Sequence, residues 1–209
     1  MKRGISRMTE KNVGYSTAFQ DAEYAERYAK SSARRNKRIA RMFTNWLAQQ
    51  GFEEGTILDV GCGSGDIAIA IASTFPRARI AGMDLSEPML KFSQSGAEKA
   101  GVADRVSFRK GDAKSMPFED KSFDVVISLN TFHLIDDPVG MLNEVERVLK
   151  PNGLLLVTDI RRSWMRLFYL PLKDALTVEQ AKEIASKSKL RSHELQQGSV
   201  WLAFVVGRH

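Results

Sequence analysis

The run Ile57-Leu58-Asp59-Val60-Gly61-Cys62-Gly63-Ser64-Gly65-Asp66 holds the residues best suited to chemistry: an acid near the end of an apolar strand, three alternating glycines and a second acid. Glycine tolerates positive φ and has no side chain, so such a loop turns sharply off a strand and lets a ligand lie against the backbone. The pattern suggests a nucleoside-binding crossover. A dinucleotide fingerprint counted from Gly61 needs glycine or alanine at position 66, where Asp66 would instead set a carboxylate against a pyrophosphate. The loop reads G-x-G-x-G with acids on both flanks, which suits a cationic nucleoside better than an anionic one.

Further along, Asp84 lies 19 positions after Gly65 at the end of a second apolar run, where a carboxylate can accept two hydrogen bonds from a ribose diol. Gly111-Asp112-Ala113 follows a third run and reads either as a ligand edge or as a turn. Cys62 has no histidine near it in sequence, so small size beside a ligand explains it better than nucleophilic catalysis does. Ser128-Leu129-Asn130-Thr131-Phe132-His133 closes a fourth run. There His133 is a candidate general base, a ligand contact or a packing residue.

These residues need an alternating scaffold, and the chain supplies one. Ile39, Met42, Phe43, Trp46 and Leu47 recur at helical spacing before Gly51. Ile57–Val60, Arg79–Met83, Val106–Arg109, Phe123–Leu129 and Leu154–Thr158 read as strands, with helices predicted at Ile67–Phe75, from Ser86 to about Ala100, and from Pro138 until Pro151-Asn152-Gly153. Thr177 and Gln180 have capping-box spacing for a helix to Ser188, and Leu190–Leu195 and Val200–Val206 flank a turn-rich tetrapeptide as a hairpin. The expected fold is an α/β, doubly wound parallel sheet finished by an antiparallel hairpin.

Bulk properties narrow the function further. At 209 residues, one domain is the default. No stretch approaches the ~20 apolar residues of a membrane span, and Met1–Glu10 is basic without an apolar stretch behind it, so no integral membrane association or secretory signal is expected. One cysteine excludes an internal disulfide framework and a cysteine-rich metal site, and points to a reducing, cytoplasmic setting. The net charge of +6 is uneven: residues 1–50 carry 11 Lys/Arg and 4 Asp/Glu, which leaves 20 and 21 for the remainder. Lys30, Arg34, Arg35, Lys37, Arg38 and Arg41 concentrate that excess, either as a solvated face or as a site for an anionic partner.

With these residues in place, the chain resembles the class I S-adenosylmethionine-dependent methyltransferases of small-molecule type, similar to the ubiquinone-biosynthesis-like group. The resemblance covers roughly residues 35–160 and rests on four blocks in order: Ile57–Asp66, Ala81–Met89, Lys110–Ser128 and Leu149–Asp159. It implies a Rossmann-like, seven-stranded sheet of order 3-2-1-4-5-7-6 with strand 7 antiparallel, helices on both faces, and S-adenosylmethionine as cofactor with no metal. It implies further that Asp84 holds the ribose and Asp59 the methionine ammonium, with Gly61, Cys62, Gly63, Ser64, Gly65 and Asn130 around the methionine half. Gly111, Asp112 and Ala113 then meet the adenine edge, and Met83, Leu85 and Met89 enclose its faces or simply pack.

The methyl acceptor belongs beyond strand four, on the side of His133. Members that methylate amines often carry an Asn/Asp-Pro-Pro-aromatic motif there, whereas Asn130-Thr131-Phe132-His133 lacks both prolines, which weakens that assignment. Residues 1–33 are expected to form a helical lid over a domain of residues 34–209, with Tyr15, Tyr24 and Tyr28 on the substrate side. Trp164 and Tyr169, near Arg161, Arg162 and Arg166, suggest a lipophilic or anionic small-molecule acceptor, or else an amphipathic surface helix. Two other functions stay open: a nucleic-acid methyltransferase gripping its substrate with the basic N-terminus, against which stands the lack of an appended RNA-binding module, and a non-catalytic S-adenosylmethionine-binding partner protein.

Overall fold

The computed structural model describes residues 18–161, 175–190 and 193–207. The chain begins with helix α1 (Ala22–Gln49), started by Asp21, whose side chain accepts from the Tyr24 N–H. Strand β1 (Glu54–Val60), helix α2 (Asp66–Thr74), β2 (Arg77–Asp84), α3 (Glu87–Lys99) and β3 (Val106–Lys110) follow. Then come β4 (Phe123–Leu129), a 3₁₀ turn at Phe132–Leu134, α4 (Pro138–Val148), β5 (Leu149–Ile160), α5 (Val178–Lys187), β6 (Glu194–Gln197) and β7 (Trp201–Val206).

The sheet runs β3-β2-β1-β4-β5-β7-β6, the expected order. The pairs among β1 to β5 are parallel, and β7 is antiparallel to both β5 and β6. Because strand side chains alternate between faces, the central strands build two cores. Leu58 and Val60 pack with Val126, Leu142 and Val145 of α4 and Ala181 of α5 on one face. On the other, Ile57 packs with Ile67 and Ile71 of α2, Phe43 and Leu47 of α1, and Ala97 of α3. Helices therefore cover both faces, and the apolar strands are buried as a parallel sheet requires.

Three details differ from the sequence reading. α1 is one continuous helix that runs through position 33/34, since nothing between Glu23 and Leu47 breaks it and Glu23–Arg27 and Glu26–Lys30 pairs support its first turns. α4 stops at Val148, ahead of Pro151-Asn152-Gly153, which lies in a register irregularity of β5 between partners Leu149 and Leu154. The hairpin strands are shorter than expected, and residues 191–192 lie outside the described residues. Tyr15, Arg162, Trp164, Arg166 and Tyr169 also lie outside them.

Candidate functional site

A pocket opens at the carboxyl ends of β1, β2 and β4, where strand order reverses and open α/β sheets bind ligands. Its floor is the glycine loop. Gly61 and Cys62 each donate an N–H to the carbonyl of Met83, which ties the loop to the end of β2. Gly61 has φ +72°, and a Cβ there would collide with the Thr131 side chain; Gly63 has φ +52° and faces the pocket. At Gly61 there is no room for a side chain, and at Gly63 the positive φ favours glycine, so the loop offers bare backbone as a cradle. Gly65, with φ +77°, precedes α2 and turns the chain into it without lining the pocket.

Two carboxylates stand against this backbone. Asp84 accepts from the Gly63 N–H at 2.9 Å through Oδ2 and from the Ser86 N–H at 2.8 Å through Oδ1. Burial raises its pKa, and the hydrogen bonds from Ser86, Gly63 and Leu85 oppose that rise. Asp59 is 2% exposed, and its Oδ2 is buried with no hydrogen-bond partner. Burial first, and the charge of Asp84 second, push its carboxyl up to about 7. An orphaned buried acceptor is costly unless a ligand satisfies it, and a cation of the ligand would do so here. The Cys62 thiol also lines the pocket, and burial raises its pKa well above the ordinary value, which leaves it an inert thiol.

Met83, Leu85, Met89, Gly111, Ala113 and Asn130 all reach the pocket, as does Ser64. Asn130 adopts φ +52°, a left-handed conformation that asparagine tolerates better than most residues, and donates its N–H to the Thr158 carbonyl. Asp112 does not line the pocket. Its Oδ1 accepts from the Lys114 N–H at 2.9 Å, and the Lys114 ammonium lies 3.7 Å from Oδ2.

The roof comes from the N-terminal segment where a lid is expected, with the aromatics Phe19 and Tyr28 joined by polar residues that the sequence does not mark. Phe19, Gln20, Tyr28, Arg35 and Asn36 line the pocket from the N-terminal segment. Gln20 donates to the Leu85 carbonyl at 3.1 Å, Ser86 Oγ to the Phe19 carbonyl, and Asn36 to Asp66 at 2.8 Å. Phe19 packs edge-on against Tyr24 and Tyr28, with ring centroids 5.2 and 5.0 Å away, so Tyr28 reaches the pocket while Tyr24 stands behind it. Asp66 is an anchor for this roof, held also by Ser64 Oγ at 2.7 Å. Arg35 is the sole cation among the described pocket residues and sits 5.9 Å from the Tyr28 ring centroid.

His133 does not line the pocket, although Thr131, Leu134 and Ile135 around it do. Its ring Nδ1 lies 2.6 Å from Oδ1 of Asp159, whose Oδ2 accepts from the His133 backbone N–H at 2.8 Å. Asp159 is 1% exposed and carried by β5. Its only signal in sequence was an acid at the end of an otherwise apolar strand. Among the described residues, no group of three or more His, Cys, Asp or Glu could hold a metal ion, and no helix is long and apolar enough to cross a membrane.

Comparison with known proteins agrees with this geometry. A family model described as a methyltransferase domain matches residues 52–199. The fatty-acid O-methyltransferase of Mycolicibacterium smegmatis is 36% identical over 60% of this chain and 44% of its own length. The phosphoethanolamine N-methyltransferase 2 of Haemonchus contortus, solved in complex with S-adenosyl-L-methionine, is 29% identical with a TM-score of 0.62, over 73% of this chain and 37% of that one. A methyltransferase from Aquifex aeolicus shares the fold with a TM-score of 0.72 at 20% identity, covering 88% of this chain and 97% of its own. The chain spans about a third to a half of the length of most curated relatives it matches. The glycine cradle, the two carboxylates against it, the sheet order and the matched model place this chain in the methyltransferase-domain family, among the class I S-adenosylmethionine-dependent methyltransferases.

Proposed function

We propose that the protein transfers the methyl group of S-adenosylmethionine to a small-molecule acceptor. The observation that carries this reading is the pair of carboxylates under one glycine loop: half-buried Asp84, fixed by two backbone N–H groups, and buried Asp59, with an orphaned oxygen. When bound, the cofactor supplies a sulfonium whose methyl group is already activated toward displacement. The protein has then to align it with a nucleophile and exclude water.

Asp84 is fixed in a position to accept from the ribose diol, and Asp59 to receive the methionine ammonium. Gly61, Cys62, Gly63 and Ser64 cradle the methionine half beside Asn130, and Gly65 sets the turn into α2. Met83, Leu85 and Met89 flank the adenine, and Gly111 and Ala113 lie at its edge; Asp112 meets the exocyclic amine only by turning away from Lys114. Arg35, a cation in the pocket wall, pairs with the cofactor carboxylate. Phe19 and Tyr28 shield the site from water, as part of a lid formed by residues 1–33 over a body of residues 34–209.

On the acceptor side, the hydrogen bond to Asp159 keeps the His133 proton on Nδ1 and leaves Nε2 as the atom that takes a proton from a hydroxyl or amine nucleophile. Tyr15, Trp164 and Tyr169 complete that side in this reading. A lipophilic or anionic acceptor fits the aromatic and arginine content of residues 161–169, and the similarity to a fatty-acid O-methyltransferase supports an acceptor that is both. The single free cysteine fits a cytoplasmic setting.

The test is incubation with methyl-labelled S-adenosylmethionine and a cell extract that retains its lipids, followed by mass spectrometry of the labelled product. Asp84→Ala should abolish labelling and weaken S-adenosylmethionine binding by at least about 100-fold, the scale of a lost charge-assisted bidentate contact. Full labelling by that variant would overturn the site.

A further inference from the structure

The outer face of α1 is strongly basic. At 100° per residue, Lys30, Arg34, Lys37, Arg38 and Arg41 fall within a sector of about 100°. The opposite side carries Ala25, Ser32, Ala40, Phe43 and Leu47, all buried against the domain. Lys30 is paired with Glu26, but Arg34, Lys37, Arg38 and Arg41 are exposed and have no ion-pair partner among the described residues. No acid occurs between Glu26 and Glu53 to neutralise them.

This face is a local feature, since the body of the chain beyond it is nearly neutral. Outside residues 1–50 the chain carries 20 Lys/Arg against 21 Asp/Glu. A charge confined to one rigid helix orients a protein on an anionic surface, whereas a diffuse positive charge only attracts it. The stretch that carries the stripe is held along its length: Asn36 is bonded to Asp66, and Ala40, Phe43 and Leu47 are in the core.

One edge of the stripe is apolar and leads to the pocket. Met42, 60% exposed, lies on the same side of the helix as Arg35 and Tyr28, which line the pocket mouth. Basic residues with an exposed apolar side chain at their edge match the headgroup and upper acyl layers of a bilayer. Base stacking on nucleic acid would call for exposed aromatics, and the exposed stripe carries none.

We propose that the outer face of α1, through Arg34, Lys37, Arg38 and Arg41 with Met42 at its edge, docks the protein on an anionic lipid bilayer with the pocket mouth beside the membrane surface. Docking does not rest on the methyl-transfer reading, but it would deliver a lipophilic acceptor directly to the site.

Co-sedimentation of the full chain with vesicles tests this. Partitioning onto phosphatidylcholine vesicles containing phosphatidylglycerol should exceed that onto phosphatidylcholine alone and fall with added salt. The combined variant Arg34→Gln, Lys37→Gln, Arg38→Gln, Arg41→Gln should lose roughly several-hundred-fold of that partitioning, from about 5-fold per cation near an anionic surface. The same variant should bind S-adenosylmethionine as the wild type does, which shows that it is folded and keeps the two proposals separate. Equal partitioning onto both vesicle types, no loss in the variant, or tighter binding to single-stranded or duplex RNA than to the vesicles would each overturn the proposal.

Discussion

The floor and the roof of the pocket are held by different forces. The floor is backbone: glycines in positive-φ conformations and two carboxylates, Asp59 and Asp84, at the ends of buried parallel strands. It cannot shift without disturbing the sheet. The roof is a helix and the turn before it, fastened to the floor by side-chain bonds from Gln20, Asn36 and Ser86, each worth about 1 kcal/mol at best. A fixed floor suits a ligand that is always the same. A weakly fastened roof can open to admit and release one.

The strongest test of that contrast is Asp59, because the floor there carries an unpaid desolvation cost. Its folded pKa, about 7, lies above the unfolded value near 4, so the folded protein holds an extra proton between those two values. Stability from this group is therefore full below about pH 4, declines as pH rises toward 7, and is flat above. Asp59→Asn should raise the melting temperature by about 5 °C at pH 8 and leave it unchanged near pH 4. The same substitution should weaken S-adenosylmethionine binding by roughly 10- to 100-fold at pH 8, since a buried charge pair is lost. Wild-type affinity should itself rise between pH 6 and pH 8, with proton release seen by calorimetry in buffers of different ionisation enthalpy. A variant that binds as tightly as the wild type would show that the orphaned oxygen is not a ligand contact.

Arg35 tests whether the roof contributes to ligand binding or only covers it. Replacement by methionine keeps much of the packing on Tyr28 and removes the charge. Affinity for S-adenosylmethionine should fall about 10-fold, and affinity for its decarboxylated analogue should not change. Equal losses for both would make Arg35 a structural residue, and a change confined to the Michaelis constant of the acceptor would move it to the other substrate.

The floor was readable in the sequence because backbone constraints select residue types: only glycine suits Gly61 and Gly63, and Asp84 stands at a fixed distance from them along a βα unit. The alternation of strands and helices is legible in the same way, whereas the sheet order rests on the family resemblance of the four blocks. Of the roof, the N-terminal lid and Tyr28 are legible in the sequence, but Gln20, in the turn before α1, and Arg35 and Asn36, on its surface, carry no spacing signal, and the partners of Gln20 and Asn36 are 65 and 30 positions away. Asp159 was missed for a related reason: its partner, His133, lies 26 positions back and meets it only across the β4–β5 pairing. Asp66 argues against a dinucleotide by its place in the loop, and its hydrogen bonds make it the anchor of the roof as well.

The smallest expected effect, and the sharpest test of a weakly fastened roof, comes from Asn36. Its side chain bonds Asp66 at 2.8 Å and Ser32 Oγ at 3.2 Å, and it is the one residue of α1 that hydrogen-bonds directly to the glycine-loop–α2 junction among the described contacts. In Asn36→Ala, Asp66 keeps the Ser64 hydroxyl and gains water, so no charge is stranded and the cost is about 1 kcal/mol. The C-terminal half of α1 stays in the core through Phe43 and Leu47, so the fold should be retained. Loosening then falls on opening alone: stopped-flow measurements should find S-adenosylmethionine dissociating a few-fold faster with an unchanged association rate. If dissociation were unchanged, the roof would be held by aromatic packing of Phe19 on Tyr24 and Tyr28 rather than by its polar clasps, and the division between floor and roof would have to be drawn in front of α1 instead of along it.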